Sequence, residues 1–278
     1  MSTTPTRLAL ALGGRLEPRP RVAHRRAGVA ARFLPPLGFG ALLLLVWQGY
    51  VAVSGVRQGI VPSPVEVARA LVRDRGVLLS SAGTTLSEIL LGYGAAVLVG
   101  VALAIAVSSS RLIGRAIYPW LVVSQMVPIP AIAPVVVLWT GFDIRPKLIV
   151  IALVTFFPIA VNAIDGLRAT DPELVGLLRT LGAGRWDVLR VARLPSALPY
   201  VFSGLRVAAA FAVLGAVFAE WAGASSGLGY LVLSYNSQAL TADVFAVVAV
   251  LAVIGVAMFA AVGLAERVTV PWWQLDEE

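Results

Sequence analysis

Long apolar runs constrain the fold of this chain more than any other feature of its sequence. A helix needs about 20 consecutive apolar residues to cross the hydrocarbon core of a bilayer. Six segments reach or approach that length, and they are 33–53, 86–107, 117–140, 148–163, 199–218 and 244–264. The sequence therefore predicts an all-α fold, a polytopic membrane bundle of six transmembrane helices.

The composition agrees with a membrane protein. Charged residues make up 13% of the 278 residues and hydrophobic residues 59%, whereas soluble domains carry about 25% charged residues. The net charge of +7 comes almost entirely from Arg between the apolar runs. Because that pattern sets membrane topology, we expect membrane lipid around this chain and no nucleic-acid partner.

Basic residues are divided unevenly between the connections. The N-terminal segment, the second and fourth connections and the C-terminal tail hold fifteen Arg, against six Arg or Lys on the other side. Since cytoplasmic connections carry the excess of positive charge, both termini are expected in the cytoplasm. We assign residues 1–32 to a disordered basic tail, 33–272 to the transmembrane domain and 273–278 to a C-terminal tail. The first run is too long for the apolar part of a cleaved signal peptide, so we expect it to be retained.

The sequence lacks the residues that several kinds of catalytic and binding site require. The chain has no Cys, and its one His, His24, lies in the basic tail, which leaves no thiolate metal site and no catalytic thiol. Its one Lys, Lys147, follows Pro146, so there is no phosphate-binding Gly-Lys-Ser/Thr loop. We expect no enzyme activity, no metal and no cofactor on this chain. A secondary transporter would show inverted repeats and charges at the membrane centre, and the sequence shows neither.

The third run is interrupted by three prolines, Pro128, Pro130 and Pro134. Each removes an amide donor and bends or breaks a helix. Broken backbone at membrane depth is tolerated where protein or a water-filled path satisfies it. The segment is therefore predicted to line a translocation path, with a kinked structural helix as the alternative. The other polar or aromatic candidates, which could equally be interfacial belt residues, are Gln125, Trp139, Asn162, Glu220, Trp221, Tyr235 and Asn236.

Two further patterns leave their role open. Small residues recur every four positions in two runs, and a ridge of this kind lets helices approach closely within one subunit or between two. The ridges are Gly92, Ala96, Gly100 and Ala104, and Gly204, Ala208, Ala212 and Ala216. A Ser-Pro start at Ser63 and Pro64 predicts a short helix in the first external connection, either interfacial or plainly solvated.

The fourth connection, 165–198, is the longest predicted cytoplasmic loop. Asp171 and Pro172 are typical of a helix start, and Gly182 and Gly184 indicate a turn before a second short basic helix. Apolar side chains beside Arg at such a corner suit a groove on a partner protein. An amphipathic loop lying on lipid is the alternative.

This loop resembles the EAA signature of ABC importer membrane subunits, in which Glu-Ala-Ala is followed by three residues, Gly, nine residues and Ile-x-Leu-Pro. Gly182 takes the Gly place and Leu194-Pro195 the Leu-Pro place, whereas Gly176-Leu177-Leu178 replaces Glu-Ala-Ala and Ala192 replaces Ile. Because the Glu of the signature is replaced, the resemblance does not specify which polar contacts the loop makes with the ATPase. The resemblance implies an ATPase-coupling set made of Glu173, Gly176, Leu177, Leu178, Gly182, Ala183, Arg185, Leu194 and Pro195.

Segments 132–142, 155–166 and 198–206 are similar to the nitrate, sulfonate and taurine permeases, and the likeness covers about residues 60–272. It implies the type I importer fold shared with methionine permeases, in the bacterial plasma membrane. It also implies a permease homodimer, ABC ATPase subunits that carry ATP and Mg, and a periplasmic or lipid-anchored substrate-binding protein.

The pair Glu220-Trp221 looks more like permeases for hydroxymethylpyrimidine, a thiamine precursor. That likeness implies a small polar pyrimidine as the transported solute, with a sulfonate, taurine or nitrate as the alternative.

Overall fold

The structure is a computed structural model that describes residues 29–54 and 60–272. The predicted basic tail, as far as residue 28, and the predicted C-terminal tail lie outside the described residues. Within these ranges the chain forms α-helices and no strand. The helices are α1 (Val29–Ser54), α2 (Pro64–Arg73), α3 (Arg75–Ser109), α4 (Arg111–Ser124), α5 (Ile129–Thr140), α6 (Arg145–Arg168), α7 (Pro172–Thr180), α8 (Arg185–Val188), α9 (Leu194–Trp221), α10 (Leu228–Ser237) and α11 (Thr241–Thr269), with a π-helical turn at Leu189–Arg193.

Five helical segments of the described chain are long and apolar enough to cross a membrane, and a sixth is obtained if the bent pair α4–α5 counts as one span. Every predicted run lies inside one of these helices or this pair. The helices extend past the runs, most of all α3, which begins at Arg75 rather than at residue 86. An apolar run marks only the hydrocarbon thickness, while backbone hydrogen bonding continues the helix into the polar surroundings.

The chain divides between Val46 and Trp47 into two structural units. The first holds most of the described part of α1. The second holds the end of α1 and all the other helices, and within it the Trp47 ring lies 5.7 Å from the ring of Phe245 on α11.

Helices α3, α6 and α9 form the centre of the second unit, and the two small-residue ridges face it. Every residue of both ridges is buried. A methyl group at Gly204 would lie 2.7 Å from the carbonyl oxygen of Pro158 on α6, and one at Gly92 would lie 2.7 Å from Cβ of Ile151. Both ridges therefore serve close packing of helices within this subunit, which was one of the two predicted readings.

The predicted helix after Ser63 is present as α2. Ser63 Oγ accepts a hydrogen bond from the Glu66 amide, and the Glu66 carboxylate accepts one from the Ser63 amide, which satisfies two amides at the helix start. Val67 and Ala70 are buried in the same apolar core as residues of α11. The helix is therefore packed on the bundle along one face.

Candidate functional site

The break in the third run lies between α4 and α5, whose axes are bent by 101°. Pro128 stands at the break, directly before α5, whereas Pro130 lies in the first turn of α5 and Pro134 inside that helix. A first-turn proline costs no intrahelical hydrogen bond, so the three prolines do not act alike. Gln125 ends α4 on the other side of the break. All four of these side chains are exposed in the single chain.

The remaining path candidates are spread over several helices. Trp139 is exposed at the end of α5, and Asn162 donates its side-chain amide to the Pro158 carbonyl of its own helix at 2.8 Å. Tyr235 packs against the main core, and Asn236 is exposed on α10. In the part of the chain that the structure describes, no side-chain hydrogen bond joins these four residues to one another. Their lining of a path stays a prediction.

Glu220 and Trp221, in contrast, join one contact network. The Glu220 side chain is 1% exposed, and its Oε2 accepts hydrogen bonds from the amides of Gly229 at 2.5 Å and Tyr230 at 3.2 Å. These amides belong to the first turn of α10, where a helix leaves its donors without intrahelical partners. Trp221 Nε1 donates to the Gly229 carbonyl at 3.1 Å. Glu220 therefore anchors the start of α10.

Thr85 of α3 completes this anchor. Its hydroxyl donates to Glu220 Oε1 at 2.7 Å and accepts from the Leu228 amide at 2.8 Å. Gly227, before the helix, has φ +111°, and a methyl group there would collide with the Glu220 carboxylate. A glycine is therefore required both by the backbone conformation and by the close approach of the carboxylate. Sequence analysis missed Thr85, since nothing in the sequence links it to a residue 135 positions away.

Glu88 and Lys147 form a second buried contact. Lys147 Nζ, at the start of α6, lies 2.5 Å from Glu88 Oε1 of α3, and both side chains are largely buried. Arg206 likewise pairs with Glu266 of α11. The two charged residues in the runs, Glu88 and Arg206, are thus paired within the chain, and Glu220, just after the fifth run, accepts hydrogen bonds from amide and hydroxyl donors.

Arg73 connects α2 to the start of α11. It pairs with Asp74, and it also pairs with Asp243. The neighbouring guanidinium holds the pKa of the Asp74 carboxyl below its usual range, although partial burial opposes this. The contact fixes the end of α2 against the bundle.

The loop after α6 begins as predicted. Asp171 Oδ1 accepts a hydrogen bond from the Glu173 amide at 2.8 Å and so caps α7. At the other end the Gly182 amide donates to the Arg179 carbonyl and the Ala183 amide to the Leu178 carbonyl, each at 3.0 Å. This pair of bonds is the Schellman motif, which needs a left-handed residue after the helix. Gly182 fills that position with φ +88°.

The second loop helix differs from the prediction. The sequence analysis expected a second short basic helix after the turn, but Arg185–Trp221 forms one long helical segment from the loop corner through the span. A π-helical turn at Leu189–Arg193 precedes Pro195. Pro195 follows this π-helical turn after one residue, and the helical segment continues through it. Helix α9 also starts earlier than the predicted residue 199, and α6 continues to Arg168.

The loop exposes an apolar face. Leu174, Leu177 and Leu181 recur at the spacing that places residues on one side of a helix, and Trp186 follows across the Gly182 corner; we name these four residues the apolar loop face. All four are exposed, Leu181 to 75% and Trp186 to 69%. Of the predicted coupling residues, Glu173, Gly176, Ala183 and Arg185 surround this face, and Leu178 is half-buried behind it. Sequence analysis did not single out Leu174, Leu181 and Trp186, although the leucine spacing could have indicated an exposed apolar face.

A membrane helical bundle with a broken helix and an exposed apolar loop face has the architecture of a membrane transport subunit. Comparison with known families agrees with this class. Residues 96–270 match the family described as "Binding-protein-dependent transport system inner membrane component". The chain belongs to this family.

Individual relatives match over most of their length. The formylaminopyrimidine transport permease protein ThiX of Halalkalibacterium halodurans is 35% identical over 86% of this chain and 96% of its own. The riboflavin transport system permease protein RibX of Chloroflexus aurantiacus is 35% identical over 92% and 97%. Permeases named for aliphatic sulfonates and taurine also match, at 30% identity.

A solved structure shows the same fold. It is described as an amino acid ABC transporter with histidines, has a TM-score of 0.60 and 17% identity, and the match covers 71% of this chain and 96% of that one. The chain is thus a multi-pass ABC transporter permease, as the sequence predicted. The all-α permease fold and the recognition of the sulfonate, taurine and pyrimidine permeases are confirmed.

Proposed function

We propose that this chain forms half of the translocation path of an ATP-driven importer, with a second copy of itself as the other half. Separate ATPase subunits, which carry ATP and Mg, would bind the loop 165–198, and a periplasmic or lipid-anchored binding protein would deliver the solute. Both termini would lie in the cytoplasm. The family match supports this assembly, since its description names binding-protein-dependent transport.

The apolar loop face is the observation that carries the coupling proposal. Three leucines and a tryptophan exposed at a helix corner leave apolar area that a partner groove would remove from water. The loop is also mechanically continuous with the bundle, because the Arg185–Trp221 helix runs from this corner to the Glu220 anchor. A displacement of the loop would therefore reach α10 through one rigid element. Nucleotide on the ATPase could bias two states of the bundle in this way.

For the solute we propose a thiamine-precursor pyrimidine. Supporting this, the relatives at 35% identity include one named for formylaminopyrimidine and one named for riboflavin, both flat nitrogen heteroaromatic compounds. Trp139 and Trp221 offer exposed or half-exposed rings on which such a compound could stack. A sulfonate, taurine or nitrate remains the second candidate, because permeases named for the first two also match.

The test is uptake by proteoliposomes that contain the full transporter with its ATPase and binding protein. We expect ATP-dependent uptake of labelled hydroxymethylpyrimidine or formylaminopyrimidine. Uptake of taurine with no pyrimidine uptake would reject the solute assignment and leave the importer assignment intact. Uptake without ATP, driven by an ion gradient, would reject the importer assignment itself.

A further inference from the structure

Two adjoining cavities lie where the loop meets the membrane helices. The larger has a volume of about 830 Å³ and lies among the ends of α3 and α6 and the starts of α4 and α7. The smaller, of about 670 Å³, extends from it toward α8. The two share Ser108, Leu167, Arg179 and Arg193. Arg179 projects from the side of α7 opposite to Leu177 and Leu181, so the larger cavity lies away from these leucines, whereas Trp186 of the apolar loop face also lines the smaller cavity.

The larger cavity is lined by four arginines, and they come from four different elements. Arg115 belongs to α4, Arg168 to α6, Arg179 to α7 and Arg193 to the π-helical turn. Neither Asp nor Glu lines either cavity within the described residues. None of the four arginines is within ion-pair distance of a described carboxylate, although Arg168 lies over the Tyr118 ring at 5.9 Å. Four like charges converge there without a counter-charge from the described residues.

Two hydroxyls point to a polar ligand in the same place. Thr170 is 7% exposed, lines the larger cavity, and its Oγ1 has no hydrogen-bond partner in the protein. Ser108 Oγ, which lines both cavities, is also buried and unpartnered. A buried hydroxyl without a partner costs free energy. A ligand with several acceptor oxygens would satisfy both hydroxyls and the arginines together.

We propose that this cavity binds a phosphate group, carried either by an anionic phospholipid or by free phosphate. Guanidinium forks match phosphate oxygens in geometry and charge. The smaller cavity is lined by Ile105, Trp186, Val188 and Leu189 beside its polar residues, which gives an acyl chain an apolar surface. The bound group would tie the loop, through Arg179 and Arg193, to α4 and α6. It would thus hold the loop in place independently of any ATPase.

The experiment measures the thermal unfolding of the purified full chain in a neutral detergent. The additions are phosphatidylglycerol, phosphatidylcholine of the same acyl chains, and inorganic phosphate against chloride at matched ionic strength. We expect a rise in Tm with phosphatidylglycerol or with inorganic phosphate, since a ligand that binds only the folded state stabilises it. A rise with both assigns the site to the phosphate group alone, and a rise with phosphatidylglycerol only assigns it to the lipid.

Variants locate the effect. The double variant Arg115→Gln, Arg179→Gln should lower the affinity for the ligand by about tenfold or more, since each substitution removes a charge-assisted contact. The matched control is Arg190→Gln with Arg267→Gln, which removes two arginines outside both cavities. Thr170→Val should raise Tm without ligand, because it removes an unpartnered hydroxyl, and should lower the rise that the ligand gives.

Three results would overturn the proposal. The first is no rise in Tm with either phosphate source. The second is an equal rise with phosphatidylcholine and phosphatidylglycerol, together with none for inorganic phosphate, which would mean general lipid packing. The third is an equal loss of effect in the cavity variant and in the Arg190/Arg267 control. Size-exclusion profiles verify that each variant is folded. If the double arginine variant does not fold, the Thr170→Val variant still tests whether the ligand binds at this cavity.

Discussion

The bundle has two ends that differ in how their polar and apolar groups find partners. Helix α6 runs from Lys147 near its start to Arg168 at its end, a distance of about 32 Å along the helix axis. At the Glu220 end, which holds Thr85, Glu88, Lys147 and Glu220, most buried polar groups are paired within the chain. At the loop end, apolar residues are exposed and arginines face a cavity without carboxylates.

This difference distinguishes an end whose polar groups are paired within the chain from an end whose polar and apolar groups lack partners within it. Buried polar groups that find partners within one chain fix local structure, so the local structure of the Glu220 end is held by contacts within this subunit. Exposed leucines and arginines without a described counter-charge leave interactions unmade, and the loop end is therefore where we propose contacts with a partner and a ligand. Substitutions should therefore reduce stability at the first end and binding at the second. The following variants test that division.

The largest effect is expected at Glu220. Glu220→Ala leaves the amides of Gly229 and Tyr230 and the Thr85 hydroxyl without their acceptor, which should cost about 3–5 kcal/mol of stability. Thermal unfolding of the purified chain measures this cost. Glu220→Gln, which keeps one acceptor oxygen, should lose less than half as much. Equal Tm values for Glu220→Ala and the unsubstituted chain would contradict the anchor.

The next effect is expected at Lys147. Lys147→Met leaves the Glu88 carboxylate buried and unpaired, at a cost of about 3 kcal/mol. The double variant with Glu88→Gln should recover most of this loss, because no buried charge then lacks a partner. The same unfolding assay gives the coupling free energy from the two single variants and the double variant. Additive losses would mean that the pair contributes nothing.

At the loop end, Leu177→Asp should weaken ATPase binding by about 2 kcal/mol, or roughly thirtyfold, since it places a charge in an apolar interface. Tm without the ATPase should stay close to that of the unsubstituted chain, because Leu177 is exposed. Co-purification with the ATPase is the measurement. Val65→Asp, an exposed apolar residue on α2, is the control and should bind the ATPase normally.

A smaller effect is expected at the Gly182 corner. Gly182→Ala places a side chain in a left-handed conformation, at a cost of about 1–2 kcal/mol, although nothing lies within 4 Å of the added methyl group. Gly182→Asn should cost less, since Asn tolerates this conformation. ATPase co-purification should therefore fall several-fold for Ala and less for Asn. The opposite order would show that side-chain size, rather than backbone conformation, is what matters there.

The smallest effect is expected at Arg73. Its side chain is mostly exposed, and solvent weakens its pairs with Asp74 and with the buried Asp243. Gln can still donate a hydrogen bond to these carboxylates, so Arg73→Gln should lower Tm only slightly. Since Arg73 lies near the Glu220 end, solute uptake at saturating ATP should stay near normal. A large decrease in Tm would mean that the contact between α2 and α11 contributes strongly to the stability of the bundle, which would contradict the small effect expected here.

The sequence alone predicted the bundle, because apolar length and small-residue spacing are local properties that a membrane helix cannot avoid. It also predicted the cap at Asp171 and the turn at Gly182, since each depends on a few neighbouring residues. The break at Pro128 was located within a few residues. Pro130 lies in the first turn of α5 and Pro134 inside that helix, so neither stands at the break. Sequence cannot separate these positions, because prolines in a first turn, inside a helix and at a break look alike.

Only the tertiary structure decided how distant residues meet. Thr85 and Glu220 lie 135 positions apart, and Glu88 and Lys147 lie 59 apart, so no local pattern could pair them. The convergence of four arginines from α4, α6, α7 and the π-helical turn on one cavity also follows from helix packing alone. The sequence by itself thus determined the helices, their corners and the family, because these depend on short-range backbone and membrane physics. Which charges are paired and which remain open depended on the packing of the bundle, because it fixes distances between residues far apart in the chain.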